Sequence, residues 1–268
     1  MSAIRTRVMT ALALAAGMVA VVLLLPTFAT VLVLVVGVLA GAWEWSAFLR
    51  ADTKLARAAY VLVIAVLLEV AWRWVAEPAG LDLLMALAIL WWCVALCWIL
   101  FAPRRVAPWS AALAGVFALV PAWLALMHLR HMANGAQWML FVFILVWVAD
   151  MGAFFFGRRF GRLHLAPAVS PGKTWEGVLG GMFLSGIVAV CASFWFDVAL
   201  GFFLPLCLTS VAFSIVGDLT ESMLKRFAGI KDSGSVFPGH GGVMDRIDSV
   251  TGAAPVLLFG LTAYWVAP

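Results

Sequence analysis

Residues 28–49 read FATVLVLVVGVLAGAWEWSAFL, 22 positions with one charged side chain, Glu44. A helix rises 1.5 Å per residue, so about 20 such residues cross the roughly 30 Å hydrocarbon layer of a bilayer. The stretch therefore reads as a membrane-spanning helix. Comparable apolar stretches recur near residues 8–25, 58–76, 81–101, 109–128, 136–157, 176–196, 198–217 and 250–267. Composition agrees, since 66% of the 268 residues are apolar and 11% charged, against roughly 45–50% and about 25% in soluble domains. A soluble globular protein is excluded. The expected fold class is all-α, a polytopic bundle of about nine transmembrane helices.

Net charge is +4, from 17 Lys plus Arg against 13 Asp plus Glu. That is too weak and too scattered to imply a nucleic-acid partner. Placement is more informative, because cationic residues accumulate in cytoplasmic loops. With the N-terminus inside, the inner segments collect Arg5, Arg7, Arg50, Lys54, Arg57, Arg104, Arg105, Arg158, Arg159, Arg162, Lys173, Lys225, Arg226, Lys231 and Arg246, and the outer connections only Arg130. Arg73 lies near the outer end of the third stretch, where it would snorkel to the headgroups. The expected orientation is N-terminus in and C-terminus out, in the cell inner membrane. Arg5 and Arg7 before the first stretch imitate a secretory signal, but a second apolar stretch follows at once, so a retained hairpin is expected. Cys93, Cys97, Cys191 and Cys207 lie in apolar runs and read as packing residues rather than metal ligands.

The two halves differ. In residues 1–135 polar residues keep to loops and span ends, as in helices that shape a bundle, meet lipid or pack against a second copy. Glu44 and Glu69 are exceptions, and each reads as an interfacial or helix-paired carboxylate. Residues 136–268 carry three blocks dense in polar residues, all expected at the cytoplasmic face, and form the expected catalytic region.

The first block, Trp147 to Gly161, places Asp150 inside an apolar stretch, where an unpaired carboxylate costs about 2.5 kcal/mol or more. Asp150 is either paired with a neighbouring cation or part of a polar site, and the second reading is preferred. The second block, Ser170-Pro-Gly-Lys173-Thr174-Trp-Glu176-Gly177, ends like a Walker A loop, but position 167 is Pro where that motif needs its first glycine. What remains is a turn entering a helix, with Ser170, Lys173 and Thr174 near a helix N-terminus that favours phosphate oxygens.

The third block runs from Gly217 to Ser249. On a helix, Asp218, Glu221 or Ser222, and Lys225 share one face, and Asp245 and Asp248, three apart, project together. Asp218, Asp245 and Asp248 are hard oxygen ligands of the kind magnesium uses. Between the two helical parts, glycines at 229, 234, 239, 241 and 242 allow sharp turns and bare backbone N–H groups. Lys225, Arg226, Lys231, Arg246 and His240 would neutralise phosphate charge. Carboxylates for metal beside cations for phosphate describe phosphoryl or nucleotidyl transfer. A solvated loop of paired charges explains neither the glycines nor the carboxylate spacing.

At this block the chain resembles the phosphatidate cytidylyltransferases, whose signature reads S-x-hydrophobic-K-R-x4-K-D-x-small-x2-hydrophobic-P/G-x-H-G-G-hydrophobic-x-D-R-hydrophobic-D. Ser222 through Asp248 meets every specified place without a gap. The resemblance covers roughly the C-terminal half and implies joining CTP and phosphatidic acid into CDP-diacylglycerol and pyrophosphate, with magnesium as cofactor. Asp218, Lys225, Asp245 and Asp248 are then the expected catalytic residues, the three aspartates being metal ligands. Ser170, Lys173, Thr174, Ser222, Arg226, Lys231, His240, Gly241, Gly242 and Arg246 are expected to bind substrate, with Asp150 and Glu221 in support. Membrane lipids and a second copy of the chain are further expected partners. A cytidylyltransferase with another lipid-phosphate acceptor fits the same residues, whereas the CDP-alcohol phosphotransferase motif is missing and a transporter would predict repeats that the chain lacks.

Overall fold

The computed structural model describes residues 3–51, 53–75, 78–237 and 241–266. Among these the chain forms nine α-helices: α1 Ala3–Leu24, α2 Thr27–Trp45, α3 Lys54–Trp74, α4 Pro78–Phe101, α5 Pro108–His131, α6 Gly135–Phe160, α7 Trp175–Phe196, α8 Leu200–Phe227 and α9 Met244–Val266. A short 3-10 turn, Ser46–Leu49, follows α2, and a hairpin of β1 His164–Ala166 and β2 Ser170–Thr174 links α6 to α7. Eight helices, α2 to α9, are long and apolar enough to span a bilayer, and α1 carries a shorter apolar run, Leu12–Leu24. The expected all-α membrane architecture is thus observed. The hairpin is an addition, antiparallel with His164 opposite Thr174.

Lipid tails are as apolar as leucine, so helices in a membrane associate through close packing rather than water exclusion. Small residues supply it here. A Cβ on Gly152 of α6 would stand 2.8 Å from the Gly180 carbonyl oxygen of α7, and one on Gly181 would stand 2.7 Å from the Ala149 carbonyl oxygen. The α6 and α7 backbones therefore touch. Across α8 and α9, Gly217 lies against the Asp248 carbonyl and Gly252 against the Phe213 carbonyl. This contact sets the two helices that carry the aspartates side by side.

α5 is the most enclosed span, with 72% of it buried, and packs against α9, whose own figure is 61%. Trp45 and Tyr60, from α2 and α3, donate to carbonyls at the start of α5, at 2.8 Å to Ala111 and 3.1 Å to Ala112. Both halves of the chain thus share one packed core. The ends of α2, α4, α6 and α8 and the starts of α3, α5, α7 and α9 meet at one face of the bundle by strict alternation of direction, and the polar blocks lie there.

Candidate active site

α8 does not stop where its apolar stretch ends near 217. It continues through Phe227, and α9 begins at Met244, so the connection is only residues 228–243. Asp218, Glu221, Ser222 and Lys225 consequently occupy one helical face, as their spacing required. Ser222 Oγ donates to Asp218 Oδ1 at 3.3 Å. Lys225 Nζ bridges two elements, reaching Glu221 Oε2 at 2.9 Å and Asp245 Oδ1 at 2.7 Å on α9.

Asp245 is fully engaged on its other oxygen. Asp245 Oδ2 accepts from Ser233 N at 2.9 Å, Ser233 Oγ at 2.9 Å and Gly242 N at 2.8 Å. Gly241 adopts φ +80, a region glycine enters without steric cost, and a Cβ there would strike the Asp245 carboxylate. The glycines thus fold the connection tightly over Asp245, which gives a specific reason for part of the glycine run.

The hairpin delivers the second cation. β2 places Lys173 against Asp218 Oδ2 of α8, an ion pair in which both side chains are about three-quarters buried. Thr174 ends the strand as the N-cap of α7, its hydroxyl accepting from Gly177 N at 3.2 Å. Gly157 and Gly161 lie against the Thr174 side chain, so α6 passes close beneath the cap. Ser170 begins β2, four residues away, and is not among the residues lining the cavity beside Lys173.

That cavity, about 290 Å³, lies among α6, α7, α8 and β2. Asp150, Lys173, Thr174 and Asp218 supply its polar wall, and Phe154, Val211 and Ile215 an apolar one. Its volume sits at the low end of small-molecule pockets, about 300 Å³. Asp150 faces this space within electrostatic reach of Asp218 and Asp248. A larger cavity of about 490 Å³ among α2, α3 and α5 is lined mostly by apolar side chains and holds none of the third block.

Asp248 is enclosed at 9% exposure on the second turn of α9. Asp218, Glu221 and Lys225 are its charged neighbours from α8. Glu221 is buried and lies within hydrogen-bonding reach of the Asp248 carboxyl group. Two carboxyl groups this close cannot both stay ionised without a cation or a shared proton between them. Among the described residues, two lysines pair directly within the group Asp150, Asp218, Glu221, Asp245 and Asp248, Lys173 with Asp218, and Lys225 with Glu221 and Asp245. Among the described residues, no group of three or more His, Cys, Asp or Glu side chains is placed to hold a metal ion by itself. The trio Asp218, Asp245 and Asp248 accordingly does not close a cage of its own.

Other expected residues lie apart. Arg226 is exposed and lines a separate recess of about 260 Å³ with Arg104, Val169 and Phe227, on the side of α8 away from Lys225. Lys231 and Arg246 are exposed, the latter within electrostatic reach of Asp150. His240 lies outside the described residues.

The site also contains a residue that the sequence did not assign to it. Glu44, at the end of α2, is buried at 6% exposure and receives Val243 N at 3.0 Å, Met244 N at 2.8 Å and Ser233 Oγ at 3.0 Å. Its only sequence signal is a carboxylate inside an otherwise apolar span. Its partners lie 189 to 200 positions away.

The cytidylyltransferase family model matches residues 5–264. A phosphatidate cytidylyltransferase of Pseudomonas aeruginosa is 43% identical over 238 residues, 85% of this chain and 86% of that one. One of Haemophilus influenzae is 38% identical over 282 aligned positions, 94% and 96% of the two chains. A third, of Staphylococcus haemolyticus, is 43% identical over 127 residues, about half of each.

Proposed function

The chain belongs to the cytidylyltransferase family, and from that premise we propose that it joins CTP and phosphatidate to give CDP-diacylglycerol and pyrophosphate. A phosphatidate oxygen attacks the α-phosphorus of CTP, the new phosphorus–oxygen bond forms, and the bond to the bridging oxygen breaks as pyrophosphate leaves with the electron pair. No covalent enzyme intermediate is needed, because the acceptor is already anionic. The observation carrying this reading is the buried meeting of Lys173, Asp218, Lys225, Asp245 and Asp248 beside a small cavity at one end of a membrane bundle. Diacyl tails can stay in lipid while a phosphate headgroup enters.

Lys173 and Thr174 line that cavity and are assigned to the lipid phosphate, a charge-assisted contact of the stronger kind. Lys225 and the backbone of Gly241 are assigned to the triphosphate, with Lys231 and Arg246 adding positive charge at the rim. The excess of carboxyl groups over lysines, with Glu221 and Asp248 side by side, fits a divalent cation. Magnesium is commonly held by one or two carboxylates plus substrate phosphates, keeping several waters, so a full protein cage is not required. Asp218 and Asp248 would hold it, with Glu221 in support and Asp245 anchoring Lys225. When bound, magnesium supplies charge neutralisation on the triphosphate and on the departing pyrophosphate.

We place the site at the cytoplasmic face of the inner membrane because 15 of the 17 Lys and Arg residues fall on that side of the bundle. A homodimer packed through α2 to α4 belongs to the same proposal, supported by the low burial of α3, at 17% of its span. The test of function is transfer of label from radiolabelled CTP into lipid by purified protein. Label should appear only with both phosphatidate and magnesium. Equal labelling without phosphatidate, or labelling of another acceptor alone, would reject the assignment. Reporter fusions placing residues 228–237 outside would reject the orientation.

A further inference from the structure

We infer that Glu44 is a positioning residue for the transfer reaction, acting from the N-terminal half of the chain through Ser233 on Asp245 and hence on Lys225. Its carboxyl group accepts the backbone N–H groups of Val243 and Met244 as α9 begins. These are donors that the helix itself leaves unsatisfied, and they stand at the positive end of its dipole. Ser233 Oγ is within reach of both Glu44 Oε2, at 3.0 Å, and Asp245 Oδ2, at 2.9 Å. A hydroxyl has one proton, so it donates to one of them at a time. The backbone N–H of Asp245 points to the same Ser233 oxygen at 3.3 Å. Glu44, Ser233 and Asp245 therefore form one chain of polar contacts that ends at Lys225, 2.7 Å from Asp245.

The connection is shaped around this carboxyl group. A Cβ on Gly234 or on Gly242 would collide with the Glu44 carboxylate. Two glycines of the run thus exist to let backbone approach from both sides. Glu44 does not line the cavity between α6, α7 and α8. Its effect is to fix where Asp245 and the start of α9 stand, and through them the Lys225 ammonium.

This inference rests on the proposed reaction, and the test combines turnover with a measurement independent of it. Glu44→Gln and Ser233→Ala are compared with wild type in reconstituted full-length protein. Glu44→Gln is expected to lower kcat about 30-fold and Ser233→Ala about tenfold, with KM for CTP and for phosphatidate held within about twofold. The double variant should be no worse than Glu44→Gln alone, because the two act in series. Amide exchange should quicken across residues 229–248 in Glu44→Gln and nowhere else. Wild-type kcat in Ser233→Ala, a loss in Glu44→Gln that tracks the fraction of folded protein, or multiplied losses in the double variant would overturn the inference. Should wild type itself transfer nothing, the reaction assignment falls, and unchanged exchange at Val243 and Met244 in Glu44→Gln would by itself refute the Glu44 contact.

Discussion

α3 and the spanning part of α9 are both apolar segments of 21 residues, yet 17% of one and 61% of the other is buried. The buried residues of α3 are Tyr60, Ile64, Leu68 and Ala71, a single stripe at helical spacing, while Leu55, Leu62, Val63, Val66 and Val70 face outward. Its acidic residue, Glu69, pairs with Arg73 one turn on at 2.6 Å, and both side chains are more than half exposed. α9 sits among α4, α5, α6 and α8, and its acidic residues point into that packing. Asp245 meets Lys225, and Asp248 lies beside Glu221. Length alone does not separate the two helices. What separates them is whether a carboxylate finds its partner on its own helix or across an interface.

The largest effects should come from the interface. Asp248→Asn and Asp218→Asn are each expected to cut kcat about a thousandfold, about 4 kcal/mol of transition-state stabilisation, with folded yield unchanged in size-exclusion and thermal-melt measurements. Near-wild-type turnover in either would dissolve the contrast with α3. Lys225→Met should lose activity about a hundredfold and also stability, because removing one partner of a buried pair costs about 3–5 kcal/mol. Adding Glu221→Gln should restore part of the melting temperature without restoring turnover, and recovery of both would make Lys225 purely structural. Lys173→Ala is smaller and more selective, about a tenfold rise in KM for phosphatidate, and an equal rise for CTP would move the lysine to the nucleotide. At the other end of the scale, Glu69→Gln should change stability by less than about 0.5 kcal/mol and activity by less than twofold. A large loss there would mean that α3 takes part in the reaction.

The spans were legible because about 20 apolar residues leave few alternatives, and α2 to α9 appear where the stretches lay. The i, i+3 and i, i+7 spacings of Asp218, Glu221 and Lys225 were legible for the same reason, since one helix fixes them. Two features were not. Apolarity marks the residues that meet lipid, not those that continue a helix into the polar face, so it did not show that the helical part at 217–226 is continuous with the eighth span, and the β1–β2 hairpin was read as a simple turn. Partners across the fold leave no local trace either. Glu44 waits for Ser233, Val243 and Met244, and Arg226 turns away from Lys225 because adjacent helical residues point about 100° apart. Asp245 looked like a third metal ligand beside Asp248 on the same spacing argument, and only the loop folded over it reveals four donors already in place.

The claim on which the rest depends is that Asp218 of α8 and Asp248 of α9 hold a divalent cation together with CTP. Manganese, a paramagnetic stand-in for magnesium, can be titrated into purified protein with CTP present and its binding followed by electron paramagnetic resonance. Wild-type protein should bind the ion, and Asp218→Asn and Asp248→Asn should each bind it at least about tenfold more weakly. Equal affinity in all three proteins would contradict the claim.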